Sequence, residues 1–276
     1  MPKVPILTYH ASDIRGNAYG ESDLAALAQD LEHVSREGFR VLALSAIAHL
    51  RLASPHELDS QPTVGFSCDD GTDFDFHDLP HPVAGPQRSV LNTLRSFHAS
   101  HPGEPQARIT SFVIASPAAR EALDRACLVG KGWWNDAWWP QAVASGLMEI
   151  ASHSWDHNHD ALEPGPGAGV RRGTFRSIDS EDLADYQIAQ SVLHVRAKAP
   201  NAGASLFAYP YGETNGFLVG DYLPRRAASI GLEAAFTTEP EFVHPGSQRW
   251  ALPRFVFRRD WSSPAELARI LREARR

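Results

Sequence analysis

The sequence predicts an α/β fold, a distorted barrel of about seven or eight strand–helix units forming a single domain over residues 1–276. Three observations carry this. Short apolar runs rich in β-branched and aromatic residues recur along the chain, helix-period patterns separate them, and 276 residues suit one large core. In chain order the runs are "VPILTYH", "FRVLAL", "TVGFSC", "ITSFVIA", "LMEIASH", "SLFAYP", "AAFTT" and "ALPRFVF", and each reads as a strand. In the first helix Ser22 is the N-cap, Leu24, Leu27, Ala28, Leu31 and Val34 form an apolar stripe, and Gly38 is the stop. Further helices are expected to start near Pro86, Asn135, Ser180, Gly220 and Ser263. Strands and helices that alternate this often imply parallel pairing through crossovers, with an open doubly wound sheet as the other arrangement. Residues 161–180, "ALEPGPGAGVRRGTFRSIDS", suit neither element and read as a long loop.

Composition narrows the function classes. The chain is 43% hydrophobic and 21% charged, as soluble globular proteins are, and its formal net charge of −7 argues against a nucleic-acid partner. No segment approaches the ~18 apolar residues of a membrane helix. The start "MPKVPILTYHASDIRG" carries no readable signal peptide. Cys68 and Cys127 fit neither a disulfide framework nor a CxxC pair, so a cytoplasmic location is expected.

The chemistry concentrates at strand ends. "SHSWDHNHD" follows the apolar run "LMEIA" and places His153 and His157 four residues apart, on one face of a helical or extended segment. Spacing alone is weak evidence among thirteen histidines. His77 and His81 in "HDLPH" repeat it, where Pro80 and Pro82 point to a solvated loop. Position favours the first pair, because α/β proteins place their sites where strands end. A metal site and a satisfied polar turn are the two readings.

A second cluster, "FSCDDGTDFD", also ends a strand, with Gly71 allowing a tight turn after Asp69 and Asp70. One carboxylate can bind a metal while its neighbour acts as a base on water, or the segment is only an Asx turn. A calcium loop counted from Asp69 puts Pro80 where a bidentate Glu is required. One Asp with two His leaves a fourth position open, which suits hydrolytic zinc. At a third strand end, "LFAYPYGE" supplies Tyr209, Pro210, Tyr211 and Gly212, a turn whose N–H groups can face an oxyanion or simply end the strand.

Together these segments resemble the polysaccharide deacetylase family, the family 4 carbohydrate esterases with a chitooligosaccharide deacetylase homology domain. "SCDDG" is similar to the first family motif, TFDDG; "HSWDH" to the second, His-Ser/Thr-x-x-His; "AYPYG" to the third, Arg-x-Pro-Tyr-Gly. With the barrel pattern, the resemblance covers most of residues 1–260. It implies Asp69 as base, Asp70, His153 and His157 as ligands of a divalent metal, and Tyr211 as a backbone N–H donor. Zinc is favoured, with cobalt or nickel as alternatives. The tail "AELARILREARR" lacks the family's Leu-x-His motif. "ILTYH" stands at the start instead, as in members resembling circular permutants that act on poly-N-acetylglucosamine, which gives His10 the acid role. The sequence departs at Ala208, where the family has the arginine that orients the base. Arg254 in "ALPRF" is the candidate replacement, and "RDW", with Asp260 and Trp261, resembles the family's Asp-Trp motif.

The implied reaction is removal of N-acetyl groups from amino sugars or oligosaccharides, in a protein that binds neither nucleic acid nor membrane. Tryptophans crowd the expected rim, and Trp138, Trp155, Trp261 and Tyr209 are candidate sugar-stacking residues against a plain packing role. The 161–180 loop, with Arg171 and Arg172, is expected to border the pocket. Two other readings are an amidohydrolase opening a non-sugar amide or cyclic imide, and a glycan-binding relic without turnover.

Overall fold

Every predicted apolar run contains a strand, because β-branched and aromatic side chains pack well on pleats covered on both faces. The computed structural model describes residues 3–53, 61–104, 107–164, 170–200 and 205–276. Its strands are β1 (Ile6–Tyr9), β2 (Arg40–Leu42), β3 (Thr63–Cys68), β4 (Leu79–His81), β5 (Gly85–Gln87), β6 (Ile109–Val113), β7 (Met148–Ser152), β8 (Leu206–Ala208), β9 (Ala234–Phe236) and β10 (Phe255–Val256). The main sheet is parallel, in the order β10, β1, β3, β6, β7, β8, β9, with β2 also on β3. A parallel bridge from Phe236 to Leu252 joins β9 to the segment entering β10, so the hydrogen-bonded ring returns to its start. The closed arrangement is therefore the one adopted, rather than the open sheet.

Alternation along the strands splits the core. Ile6, Phe112, Ala151, Ala208 and Phe236 share one cluster, while Leu7, Tyr9, Phe66, Ile109 and Ile150 pack with helix residues such as Leu27 and Leu31 in another. The first helix is Asp23–Arg36, capped as expected by Ser22, whose side chain accepts from the Ala25 N–H. The helices Glu181–Ala184 and Pro264–Ala274 follow Ser180 and Ser263 directly. Two others start later than the sequence suggests, Val90 after a Ser89 cap and Trp139 rather than Asn135, while the one expected near Gly220 starts earlier, at Gly216, and passes through a π-turn over Leu218–Tyr222 into Leu223–Ile230. Two helices escaped the sequence reading, Leu44–Ala53 and Pro117–Cys127. Ser116 and Pro117 were the unread start signal of the second, a cap followed by proline in the first turn.

The expected solvated loop holds at His77, which is exposed, but His81 lies in a hairpin of β4 and β5. His81 is buried there, and its Nδ1 accepts from the Val83 and Ala84 N–H groups. Among the described residues, no helix is long and apolar enough to cross a membrane.

Candidate active site

β1, β3, β7 and β8 deliver the predicted residues to one end of the barrel, as parallel strands in register must. Asp69 and Asp70 follow β3, His153 follows β7, His10 follows β1, and Tyr211 lies in the turn after β8. Their backbone is unusual. Asp70, Ser154, His157 and Tyr211 have φ values of 74°, 71°, 62° and 60°, in the left-handed region that non-glycine residues rarely enter. Such strain persists where surrounding structure enforces it, and it gathers at functional sites. Gly71 is required for packing as well, since a Cβ there would lie 2.4 Å from Val113 Cγ1.

Three side chains able to ligate a metal converge. The potential donor atoms of Asp70, His153 and His157 all lie within 4.8 Å of one another. Both histidine Nε2 atoms sit 3.8 Å from Asp70 Oδ1. His153 Nδ1 is 2.9 Å from the Ala208 carbonyl, to which it donates, and that fixes the tautomer with Nε2 free to ligate. Burial, and then His153, push the His157 pKa well below the ordinary histidine value, which keeps the ring neutral as a ligand must be. His157 Nδ1 is buried with no hydrogen-bond partner among the described residues. An N, N, O donor set this close fits a borderline divalent ion such as zinc.

Asp69 is held differently. Arg254 donates from Nη1 to Oδ1 at 2.7 Å and from Nη2 to Oδ2 at 2.9 Å, a bidentate clamp with both partners buried. The same guanidinium donates from Nε to the Thr237 carbonyl at 3.0 Å and lies over the Phe112 ring at 5.1 Å. Burial raises the Asp69 pKa, but Arg254, His153 and His10 outweigh it and bring it down to about 2. Arg254 therefore reaches the carboxylate that the residue at Ala208 cannot. Asp260 does not take part: it accepts from the Val256 N–H at 2.6 Å and pairs with Arg259.

A cavity of about 370 Å³ connects these groups, with His10, Asp69, Asp70, His153, His157 and Tyr211 in its wall. His10 is thus beside the other motifs despite its distance in sequence. Its backbone N–H donates to Asp23 Oδ2 at 2.7 Å, and burial lowers its pKa less than Asp70, Asp69 and Asp23 raise it. The Tyr211 ring meets His157 edge-on, with centroids 4.5 Å apart. Ser12, Cys127, Thr238 and Arg259, to which the sequence assigns no role there, also line the cavity, as does Trp134. Trp134 donates from Nε1 to the Asp70 carbonyl at 3.0 Å and so steadies the first motif.

No family profile matches this chain, and no curated protein sequence does. Solved structures do. IcaB from Ammonifex degensii superposes with a TM-score of 0.64 at 19% identity, covering 100% of this chain and 98% of that one. The Streptococcus pyogenes deacetylase PplD, solved in complex with acetate, gives 0.63 at 18% identity over 98% of this chain and 99% of its own. The deacetylase domain of BpsB from Bordetella bronchiseptica gives 0.60 at 16% identity, covering 92% and 95%. The chain has the deacetylase barrel fold.

On that fold the expected aromatic rim is largely absent. Trp138, Trp261 and Tyr209 are buried in the core, each with its polar atom bonded inward: Trp138 Nε1 to Asp73 Oδ1, Trp261 Nε1 to Asp30 Oδ2, and Tyr209 OH to the Trp250 carbonyl. Trp155 is half-buried against Tyr186 and His194 and is not in the cavity wall. Of the aromatic side chains other than histidine, Trp134 and Tyr211 line it. The 161–180 loop does not border it either, among the described residues. Arg172 turns inward to Asp156 at 2.9 Å, and Phe175 is buried in a core cluster. Its segment 165–169 lies outside the described residues.

Proposed function

We propose that this protein is a metal-dependent carbohydrate N-deacetylase of the polysaccharide deacetylase family, acting on an N-acetylated amino sugar or oligosaccharide. The observation that carries the reading is a single juxtaposition. An Asp-His-His donor set lies directly beside a second carboxylate that Arg254 keeps ionised.

Asp70, His153 and His157 would hold the ion, favoured as zinc, which supplies Lewis acidity to a water and to the acyl oxygen. Asp69 accepts a proton as water oxygen bonds to the acetamide carbon. The Tyr211 N–H, presented by its left-handed backbone, stabilises the oxyanion. His10 donates the proton that lets the amine depart, because an unprotonated amine is a poor leaving group. The C–N bond breaks, giving acetate and a free amino sugar.

A second reading, opening of a small amide or cyclic imide, draws support from the burial of Trp138 and Trp261, since a site with few exposed aromatics is less committed to sugars. One experiment separates them. The zinc-loaded protein is incubated with N-acetylated sugars, their oligomers and cyclic imides, and acetate release and ring opening are measured separately. Acetate is the expected product. Ring opening with no acetate from any sugar would replace the deacetylase reading.

A further inference from the structure

The two histidines of the candidate metal set are held in different ways. His153 has its ring fixed by a bond of its own, from Nδ1 to the Ala208 carbonyl, whereas His157 Nδ1 has no partner among the described residues. Apart from ring contacts such as that with Tyr211, the aim of the His157 ring is therefore set by its backbone. That backbone is costly. His157 and Asn158 are consecutive residues at φ 62° and 45°, and non-glycine residues in this region cost about 1–3 kcal/mol each and persist only where neighbours enforce them.

The enforcing bonds come from residues 171–174, within the 161–180 loop. Asn158 is buried; its Nδ2 donates to the Arg171 carbonyl at 2.8 Å and to the Thr174 carbonyl at 2.7 Å, and its own carbonyl accepts from the Gly173 N–H at 2.8 Å. On the other side of His157, Asp156 is buried as well. Its Oδ1 accepts from the Asn158 N–H at 2.9 Å and from Gln187 Nε2 at 2.6 Å, and its Oδ2 from Arg172 Nη1 at 2.9 Å. Arg172 is anchored in turn, with Nε and Nη2 donating to the Glu163 carbonyl at 3.2 Å and 2.9 Å. The guanidinium thus has one branch on its own loop and one on the residue that precedes the ligand. A planar group bonded at both ends fixes direction as well as distance.

We propose that Arg172 is a positioning residue for the metal, acting through Asp156 to hold the backbone of His157 so that its ring meets the ion. The proposal rests on the metal site of the deacetylase reading and on nothing about the substrate. It gives the loop a task other than bordering the cavity.

The sign of the effect separates positioning from electrostatics. Arg172 is a cation bonded to the neighbour of a ligand, so Coulomb's law alone makes its removal tighten the binding of a divalent ion, whereas loss of a residue that orients a ligand weakens it by about 10–100-fold. The test measures the zinc dissociation constant, by competition with a chromophoric chelator, for the unaltered protein, Arg172→Leu, Arg172→Lys and Arg176→Leu, and records the visible bands of the cobalt-loaded forms. Arg176 is an exposed arginine of the same loop that pairs with Glu213. Arg172→Leu is expected to weaken zinc binding by about 10–100-fold and to displace the cobalt bands. Arg172→Lys, which keeps the charge beside Asp156 without the fork, should fall between, and Arg176→Leu should match the unaltered protein. Equal or tighter binding by Arg172→Leu overturns the proposal, as does an equal loss in Arg176→Leu. If Arg172→Leu does not fold, Arg172→Lys decides: weaker binding with displaced bands supports the proposal, and unaltered affinity overturns it. A protein that takes up neither zinc nor cobalt removes the metal site and the proposal together. Failure of the deacetylase reading alone looks different, since zinc is then bound while no sugar yields acetate.

Discussion

Asp69 and Asp75 stand six residues apart on one segment, both buried, yet their carboxyls are brought down to about 2 and pushed up to about 8. Burial pushes both upward. Asp69 meets a guanidinium in a bidentate clamp, and two histidines add to it. Asp75 has one hydroxyl donor, Ser111 Oγ, while Asp70, Asp73 and Asp69 repel its ionised form, and its Oδ1 has no partner among the described residues. Burial sets the cost of a charge, and the neighbours decide whether the cost is met. One segment thus provides both a permanent carboxylate and a neutral acid.

The comparison breaks most severely at Arg254. Arg254→Met leaves Asp69 as a buried, unmatched charge, and denaturant unfolding is expected to show a loss of about 3–5 kcal/mol together with loss of turnover. The double variant with Asp69→Asn should regain much of that stability and none of the activity. If the double variant is no more stable than Arg254→Met, the clamp is not what holds Asp69 in its ionised state.

Separating the roles of neighbouring residues comes next. Asp69→Asn is expected to lower turnover by roughly 10²–10⁴-fold while retaining the metal, whereas His153→Ala should lose metal and turnover together. Elemental analysis reads the difference. Equal metal loss in the two variants would make Asp69 a ligand.

Asp75 gives a smaller and opposite effect. Between the unfolded carboxyl value and about 8, the folded chain holds a proton that the unfolded chain has released, so stability falls as pH rises through that window and levels out above it. The slope is at most about 1.4 kcal/mol per pH unit. Asp75→Asn should flatten it, measured by urea unfolding at pH 5 and pH 8 in the presence of a chelator. A difference between wild type and Asp75→Asn that does not change over that range would show Asp75 ionised in the fold. The smallest effect belongs to Trp134→Phe, which loses the bond to the Asp70 carbonyl and should cost about 1 kcal/mol of stability.

The barrel was legible because apolar runs and caps are local signals, and Ser22, Ser180 and Ser263 mark their helices directly. The histidine pair and the two aspartates were legible as clusters at strand ends. Arg254 was legible only as a replacement demanded by Ala208, since nothing local to "ALPRF" says which strand it faces. Trp138, Trp261 and Tyr209 misled because a buried aromatic with an inward hydrogen bond and an exposed stacking platform have the same sequence signature. Which one forms depends on partners such as Asp73, Asp30 and the Trp250 carbonyl, far away along the chain. The second helix of the barrel, Leu44–Ala53, lacked a polar cap to announce it.

The two-residue strand β10 has a consequence for how the molecule comes apart. Where most staves of the ring have longer ladders, this one is held by two register pairs to β1 and one bridge from Leu252 to Phe236. Arg254 sits at that seam and ties it from the Thr237 carbonyl on one side to Ser67 and Asp69 on the other. The clamp that readies the carboxylate is also a rivet of this short joint. Amide hydrogens along this seam should therefore exchange together, in an opening that disarms the carboxylate each time it occurs, and an occupied active site should slow that exchange.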